Sequence, residues 1–283
     1  MTLRTISKIV SAKPQPGTGI LRPFPSRELT DLDPFVFLDT GEPQNLGRGD
    51  IFVGPHPHRG FQPVSLLFRG RITHRDSLGN HLTIDSGGIQ WLVSGSGALH
   101  EEVLEGDEDG VFHMAQLWVN LPAALKMQPP SHQALPASEV PNVASLGAGS
   151  LFRLYAGVLD GDTGPAPLPT PVLIGHIVLD ASAEITIPVP AGWTVATTVV
   201  DGKASVTSSE ALVPGDTVVF NDDGGSVSIM TEGGAQLLFM AGEPIGEPIV
   251  MGGSFVMNTH EEIERAFDDY NSGRMGRLSS SRQ

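Results

Sequence analysis

Short apolar and alternating segments, separated by turn residues, dominate the chain between residues 50 and 121. Residues 64–68 are almost entirely apolar, whereas residues 71–76 and 81–85 alternate between apolar and polar positions. Both patterns are typical of β-strands, and the Gly, Asn and Pro residues between them are typical of turns. The predicted strands of this half are 64–68, 71–76, 81–85, 89–93 and 114–121. Strands this short and closely spaced favour an antiparallel sandwich or barrel.

The second half of the chain repeats this rhythm. Its predicted strands are 173–179, 183–188, 193–200, 218–220, 226–229 and 235–240. Residues 131–147 are rich in Pro, Ala and Ser without a clear period, which indicates a connection between domains. We therefore predict two β-barrels in tandem, one over residues 1–135 and the other over residues 136–283.

The last segment has a helical pattern instead. Thr259 and Glu262 have the spacing of a capping box, in which each side chain bonds to the other residue's backbone N–H. Apolar residues then recur at helical spacing at Ile263, Phe267 and Tyr270. Gly273 can end the helix in a left-handed conformation, and the tail after Arg277 is predicted to be loose. The sequence thus predicts an amphipathic C-terminal helix packed on a barrel.

Composition narrows the possible functions. The chain of 283 residues has no cysteine, which excludes disulfides, thiolate nucleophiles and Cys-based metal sites. Its formal charge is −15, from 32 acidic and 17 basic residues, so phosphate backbones and anionic lipids would be repelled. No apolar run has the length of a membrane span, and the N-terminus lacks the pattern of a secretory signal. We expect a cytoplasmic monomer that binds neither nucleic acid nor membrane.

Two pairs of potential metal ligands stand out. His56 and His58 flank Pro57, and His100 and Glu102 follow about forty residues later. Alternate side chains of a strand point to the same face, so each pair can present two ligands side by side. Proline cannot donate to a sheet ladder, which places the first pair at a sheet edge or barrel mouth. Three imidazoles and one carboxylate suit a divalent transition metal such as iron.

The remaining histidines are weaker candidates. His74 and His81 lie on either side of a turn, so we expect them to face solvent or to stabilise the turn. His113 precedes a predicted strand and has two open interpretations, a pocket-lining residue or a structural one. His132 falls in the predicted connection, and the second half holds only His176 and His260. The second barrel is therefore predicted to be metal-free.

One carboxylate competes with Glu102. Glu101 is its neighbour, but strand alternation should turn that side chain to the opposite face from His100. The acidic run over residues 105–109 is predicted to be a solvated loop.

The motifs resemble those of the pirin family within the cupin superfamily, and the resemblance covers nearly the whole chain. It is carried by GPHPHRGF (54–61), HRDSLG (74–79), Gln90–Trp91, GSG (95–97) with His100 and Glu102, QLWVNLP (116–122), PVPAGW (188–193), GEP (246–248), FVMNT (255–259), Glu261–Ile263 and Ala266–Phe267. The resemblance implies an all-β fold of two tandem cupin barrels of the jelly-roll type with a short C-terminal α-helix. The N-terminal barrel, residues 1–135, would bind the metal.

Carried over from the family, the metal ligands fall on His56, His58, His100 and Glu102. In the wider cupin pattern the carboxylate ligand lies four residues after the second histidine, where this chain has Gln62. A neutral amide is a poor ligand, so the pirin pattern with Glu102 is the one that fits. Fe(II) is favoured by the resemblance, but Ni, Cu, Mn, Co or Zn could occupy the same ligands.

Bacterial pirins similar to this chain are assigned quercetin 2,3-dioxygenase activity, which is the leading hypothesis. Glu102 would then also be catalytic, accepting the proton of a flavonol hydroxyl as the substrate binds. Two alternatives stay open. The protein could be a non-enzymatic, metal- or redox-responsive partner of transcription factors or metabolic enzymes, or an enzyme acting on another enol-bearing metabolite.

Overall fold

Strands make up nearly all the regular structure of the chain, as the sequence predicted. The computed structural model describes residues 2–143, 146–207 and 209–278. The strands of the first half are β1 (Ile6–Ser11), β2 (Ile20–Phe24), β3 (Phe35–Gly41), β4 (Gln44–Asn45), β5 (Asp50–His58), β6 (Phe61–Arg69), β7 (Arg71–Asp76), β8 (His81–Asp85), β9 (Ile89–Val93), β10 (Ala98–Glu105), β11 (Val111–Asn120), β12 (Ser131–Leu135) and β13 (Asn142–Val143).

The strands of the second half are β14 (Ser150–Ala156), β15 (Val158–Leu159), β16 (Asp162–Thr163), β17 (Val172–Leu179), β18 (Glu184–Pro188), β19 (Thr194–Gly202), β20 (Ser205–Val206), β21 (Asp216–Phe220), β22 (Ser226–Met230), β23 (Ala235–Gly242), β24 (Val250–Gly252) and β25 (Phe255–Met257). One α-helix, α1 (His260–Asn271), follows, and short 3-10 helices cover Ala123–Leu125 and Ala137–Glu139. Every predicted strand coincides with an observed strand to within a few residues.

The chain forms two compact units that are not contiguous in sequence. The histidine unit comprises residues 43–137 and 245–283, and the second unit comprises residues 1–42 and 138–244. The predicted barrels were 1–135 and 136–283, whereas residues 1–42 lie in the second unit and residues 245–283 lie in the histidine unit. The reason is that β1 pairs with β21, and α1 contacts β24 and β25. Elements that pair across such long stretches of sequence leave no local pattern from which the domain boundary could be predicted.

The histidine unit contains three groups of antiparallel strands within its described residues, one of which is the short pair β24–β25. One sheet has the order β5–β10–β7–β8, and β12–β9–β6–β11 pair in that order, with β4 on β11. A buried apolar cluster of Leu67, Ile72, Ile84, Leu104 and Phe112 lies in this unit. β5 is the edge strand of its sheet, which confirms the edge position predicted from Pro57.

The second unit is built around a seven-stranded sheet of order β1–β21–β19–β23–β17–β14–β13. A three-stranded sheet, β18–β22–β20, and the pairs β2–β3 and β15–β16 complete its strand pairing within the described residues. Its core is a large cluster of buried apolar side chains that includes Phe152, Ile177, Val199 and Phe239.

The C-terminal helix begins as predicted. Glu262 N–H donates to Thr259 Oγ1 at 3.2 Å, and Thr259 N–H donates to the Glu262 carboxylate at 3.0 Å, so both halves of the capping box form. The buried residues of α1 are Ile263 and Ala266, whereas Phe267 and Tyr270 remain 42% and 37% exposed. The stripe of apolar residues therefore buries a narrower face than its spacing indicated.

One predicted connection was wrong in part. Residues 131–135 form β12, which pairs with β9 along its whole length. The backbone hydrogen bonds of β12 come from β9, which lies about forty residues earlier in the sequence. The local composition of residues 131–135 therefore did not indicate a strand. Leu278 is the last described residue, and the predicted loose tail beyond it lies outside the described residues. No helix in the described part of the chain is long and apolar enough to cross a membrane.

Candidate metal centre

Three of the four predicted ligands converge on the inner side of the β5–β10 pair. His56 lies directly opposite His100 in the antiparallel register, and His58 is two residues further along the same strand. The ring centroids of His100 lie 4.2 Å from His56 and 4.7 Å from His58. One ligand atom from each of the three histidines falls within 4.8 Å of the others. The i, i+2 spacing thus produces the cluster that strand geometry predicts.

Hydrogen bonds orient these imidazoles. His56 Nδ1 donates to the Gly54 carbonyl at 2.9 Å, and His58 Nδ1 lies 3.5 Å from the Ser254 carbonyl. A proton on Nδ1 leaves the lone pair of Nε2 available to a metal. His100 Nε2 is buried without a hydrogen-bond partner, which is costly unless a ligand takes it up. All three Nε2 atoms are therefore suited to ligation.

Burial keeps two of the histidines neutral. Desolvation, followed by repulsion from His56, lowers the pKa of His58 to about 3. Desolvation, followed by repulsion from His58 and His56, holds the pKa of His100 well below its ordinary value. Metal ions bind the deprotonated imidazole, so ligation at these positions needs no proton to be displaced near neutral pH.

Glu102 borders the three histidines rather than lying among them. Its carboxylate groups with His74 and His100, and its Oε1 is 4.0 Å from His100 Nδ1. The Gln90 amide donates to the same oxygen at 2.6 Å, and Gln90 also donates to Ser65 Oγ at 3.3 Å. Gln90 on β9 therefore holds Oε1 of Glu102, and Gln90 does not contact the other carboxylate oxygen, Oε2.

His74 is the main site residue that sequence reasoning missed. It was predicted to face solvent or stabilise a turn, but it is only 1% exposed and its Nδ1 lies 3.3 Å from His100 Nδ1. Its Nε2 donates to the Asp76 carboxylate at 3.2 Å. Burial lowers the pKa of His74, but hydrogen bonding to Asp76 and Glu102 outweighs it, and the net shift is upward. The alternation of buried Ile72, His74 and Asp76 along β7 was the available signal.

His132 joins the same cluster. Its ring stacks on His74 with centroids 3.7 Å apart and an interplanar angle of 4°. Neither ring nitrogen has a hydrogen-bond partner, and desolvation followed by repulsion from His74 lowers the pKa of His132 to about 3. Its assignment to a connection was wrong because β12 carries it into the histidine unit.

Two buried cations brace the loop after the His-Pro-His sequence. The Lys126 ammonium donates to the Gly60 carbonyl at 2.8 Å, to Asn120 Oδ1 at 2.5 Å and to the Val256 carbonyl at 3.0 Å. The Arg59 guanidinium donates to the Ser96 carbonyl at 2.7 Å and to Asp269 of α1 at 2.6 Å. The strand that carries His56 and His58 is thereby tied to the β9–β10 turn and to the C-terminal segment.

The other candidates lie elsewhere. Glu101 pairs with Arg75 at 2.8 Å, and His81 is exposed, as expected for both. His113 is buried with its ring 4.9 Å from that of Phe68, which favours the structural interpretation. In the acidic run, Asp107 and Asp109 pair with Arg69.

The donor set fits a divalent transition metal. The imidazoles of buried His58 and His100 and half-buried His56 supply the nitrogen ligands that iron, nickel, copper and zinc share. Nδ1 contacts to backbone carbonyls direct Nε2 of His56 and His58 towards a metal. A carboxylate at their border adds one negative charge, which offsets part of a divalent cation's charge. The arrangement can therefore hold a metal without first rearranging its strands.

Comparison with known proteins identifies the family of the chain. The family model described as Pirin matches residues 18–119, and the model described as Pirin C-terminal cupin domain matches residues 174–276. A pirin-like protein of Caulobacter vibrioides is 35% identical over 97% of this chain and 100% of its own length.

Solved structures give the same result. The crystal structure of quercetin 2,3-dioxygenase from Acinetobacter baumannii superposes with a TM-score of 0.90 at 33% identity, covering 97% of this chain and 99% of its own. A bacterial pirin of Escherichia coli, solved in complex with nickel(II), shares the fold with a TM-score of 0.64 at 16% identity, covering 84% of this chain and 100% of its own. These matches confirm two cupin barrels with a C-terminal helix.

Proposed function

We propose that this chain, which belongs to the pirin family, is a metal-dependent dioxygenase that cleaves flavonols such as quercetin at the 2,3 bond. The observation that carries the proposal is the convergence of three imidazoles, two buried and one half-buried, beside a hydrogen-bonded carboxylate. The likeness to the Acinetobacter baumannii enzyme supports the substrate class.

In this proposal His56, His58 and His100 hold the metal through Nε2, and Glu102 is the carboxylate ligand. Fe(II) is the first choice, and Ni, Cu, Mn, Co and Zn are alternatives. When bound, such a metal supplies Lewis-acid polarisation of a substrate oxygen and, for the redox-active ions, electron transfer to dioxygen. The upward net shift in the pKa of His74 comes partly from Glu102, so the carboxylate and His74 form an electrostatically coupled pair beside the ligands.

Glu102 also accepts the proton of the flavonol hydroxyl. Gln90 holds Oε1 at 2.6 Å, so the carboxylate keeps a defined orientation while Oε2 remains available for metal or proton. A positioned carboxylate that takes up a proton in the reaction contributes about 10²–10⁴-fold in rate. Because Glu102 is only 6% exposed, bulk water does not compete freely for that proton.

The overall reaction balances without another reactant. A flavonol and dioxygen yield a ring-opened ester that retains both oxygen atoms of dioxygen, and one ring carbon leaves as carbon monoxide. No external reductant is needed, which agrees with a site that requires only metal, substrate and dioxygen.

The experiment is an anaerobic reconstitution. Protein freed of metal is loaded separately with Fe(II), Mn(II), Co(II), Ni(II), Cu(II) or Zn(II), mixed with quercetin and exposed to air. We expect loss of the flavonol absorbance and stoichiometric carbon monoxide with at least one redox-active metal. The matched control is His81→Ala, which removes an exposed histidine outside the cluster. Absence of turnover with every metal would sink the proposal.

The net charge of −15 supports a second candidate, a regulatory partner that docks on a basic protein surface. Here the metal state would control binding rather than catalysis. The discriminating measurement compares the affinity of apo and metal-loaded protein for a captured basic partner. Equal affinities would eliminate a metal-controlled regulator.

A further inference from the structure

We propose that His74 is a positioning residue that sets the tautomer of His100, through the ordered chain Asp76–His74–His100. This inference rests on the metal centre of the proposed function, but not on flavonol cleavage. It assigns a role to the buried cluster of His74, Asp76 and His132 that the ligand set leaves unexplained.

The hydrogen-bonded series starts at Asp76, whose carboxylate oxygens accept four hydrogen bonds. Oδ1 accepts the backbone N–H groups of Leu78 at 2.9 Å and Asn80 at 3.0 Å. Oδ2 accepts the Asn80 side-chain amide at 2.7 Å and His74 Nε2 at 3.2 Å. A carboxylate so surrounded by donors stays ionised and can only accept, so the proton of that contact belongs to His74 Nε2.

The second hydrogen bond of the series joins His74 to His100. In a neutral imidazole with a proton on Nε2, Nδ1 carries a lone pair. His74 Nδ1 and His100 Nδ1 lie 3.3 Å apart, and two ring nitrogens form a hydrogen bond only when one of them carries the proton. His74 Nδ1 also lies 3.8 Å from Glu102 Oε1. When His100 binds a metal through Nε2, the proton of its neutral ring is on Nδ1, so His100 donates to His74 Nδ1 and keeps its own lone pair on Nε2. That atom is the one that is buried without a partner.

The opposite arrangement would disable the ligand. If His74 donated from Nδ1, His100 would carry its proton on Nε2 and could not bind a metal through that atom. A cation held by His100 would also repel a second proton on His74. Metal binding and the Asp76–His74–His100 order thus favour the same protonation pattern.

His132 holds the plane of His74. Its ring covers one face of His74 at 3.7 Å and nearly parallel, so His74 cannot rotate away from the line between Asp76 and His100 without losing this contact. The same stacking argues against a second cation among these three residues. Ring lone pairs lie in the ring plane, so parallel stacked rings do not converge on one point, and both Asp76 oxygens are already engaged.

Two substitutions at His74 distinguish the loss of the hydrogen-bond acceptor at Nδ1 from the loss of the imidazole ring. His74→Asn keeps an oxygen close to the position of Nδ1 and can still accept from His100, whereas His74→Leu cannot. Loss of a residue that orients a metal ligand lowers metal affinity about 10–100-fold. We expect that loss for His74→Leu and recovery to within about threefold of wild type for His74→Asn, measured by competition titration with Zn(II). His132→Phe, which keeps a stacked ring, should bind as wild type does.

The tautomer is measured directly by long-range ¹H–¹⁵N NMR on histidine-labelled wild-type protein. We expect a protonated Nδ1 and an unprotonated Nε2 on His100, with the reverse on His74, in the metal-free and the Zn(II)-loaded forms. A proton on His100 Nε2 in the metal-free protein, or equal Zn(II) affinity of His74→Leu and wild type, would overturn the proposal. The NMR result needs no variant to fold and no substrate to turn over, so it stands apart from the flavonol assay.

Discussion

Replacing Lys126 with Met tests how strongly this buried ammonium stabilises the loop beside the proposed metal ligands. The ammonium is 1% exposed and uses its three N–H groups on the Gly60 carbonyl, Asn120 Oδ1 and the Val256 carbonyl. Met has a similar length but no donor, so Lys126→Met leaves three buried oxygens without this partner. The change removes charge-assisted hydrogen bonds while it preserves most of the packing.

The magnitude follows from those three contacts. A hydrogen bond to a charged group contributes about 1.5–3 kcal/mol net, which bounds three independent bonds at about 4.5–9 kcal/mol. They share one ammonium and the loop can relax, so we expect the free energy of unfolding to fall by about 3–5 kcal/mol. Each kcal/mol lowers the melting temperature of a domain this large by about 2–4 °C, so the expected drop is about 6–20 °C.

Calorimetry of the metal-free protein is the assay, with Zn(II) titration as a second readout. Metal affinity should also fall, because Gly60 lies two residues after His58 and its carbonyl loses its anchor. Lys8→Met is the matched control, since Lys8 is exposed and donates to the Glu28 carbonyl at the surface. That variant should stay within about 0.5 kcal/mol of wild type. If Lys126→Met and Lys8→Met had the same melting temperature, the stabilising role of Lys126 would be refuted.

Two further predictions concern the ligands and the terminal helix. His56→Ala and Glu102→Ala should each lower bound metal at least about tenfold by elemental analysis, because each removes a proposed ligand. A fully metallated Glu102→Ala protein would refute its assignment as ligand. Thr259→Ala should destabilise α1 by about 1 kcal/mol, because it removes the side-chain half of the capping box. Unchanged amide-exchange protection in α1 would contradict this.

The histidine cluster was predictable because strand geometry is local. His56, His58 and His100 meet because i, i+2 positions share a face, and the edge position of β5 follows from Pro57. A resemblance between motifs supplied the pairing of the two segments, which spacing alone does not give. The capping box of α1 was predictable for the same reason, since Thr259 and Glu262 are three residues apart.

The surroundings of the cluster depend on long-range pairing and were not predictable. His132 reaches His74 only because β12 pairs with β9, and nothing in the Pro-rich segment around it specifies that partner. Gln90 holds Glu102 across twelve residues of sequence, through strands of different sheets. His74 is an intermediate case, because the alternation of β7 with buried Ile72 already placed it on the inner face.

The proposed ligand set is tested by a crystal of the Fe(II)-loaded protein, measured on both sides of the iron absorption edge. We expect a single anomalous peak within bonding distance of Nε2 of His56, His58 and His100 and of a Glu102 carboxylate oxygen. A peak among His74, Asp76 and His132, or a metal held without Glu102, would contradict it.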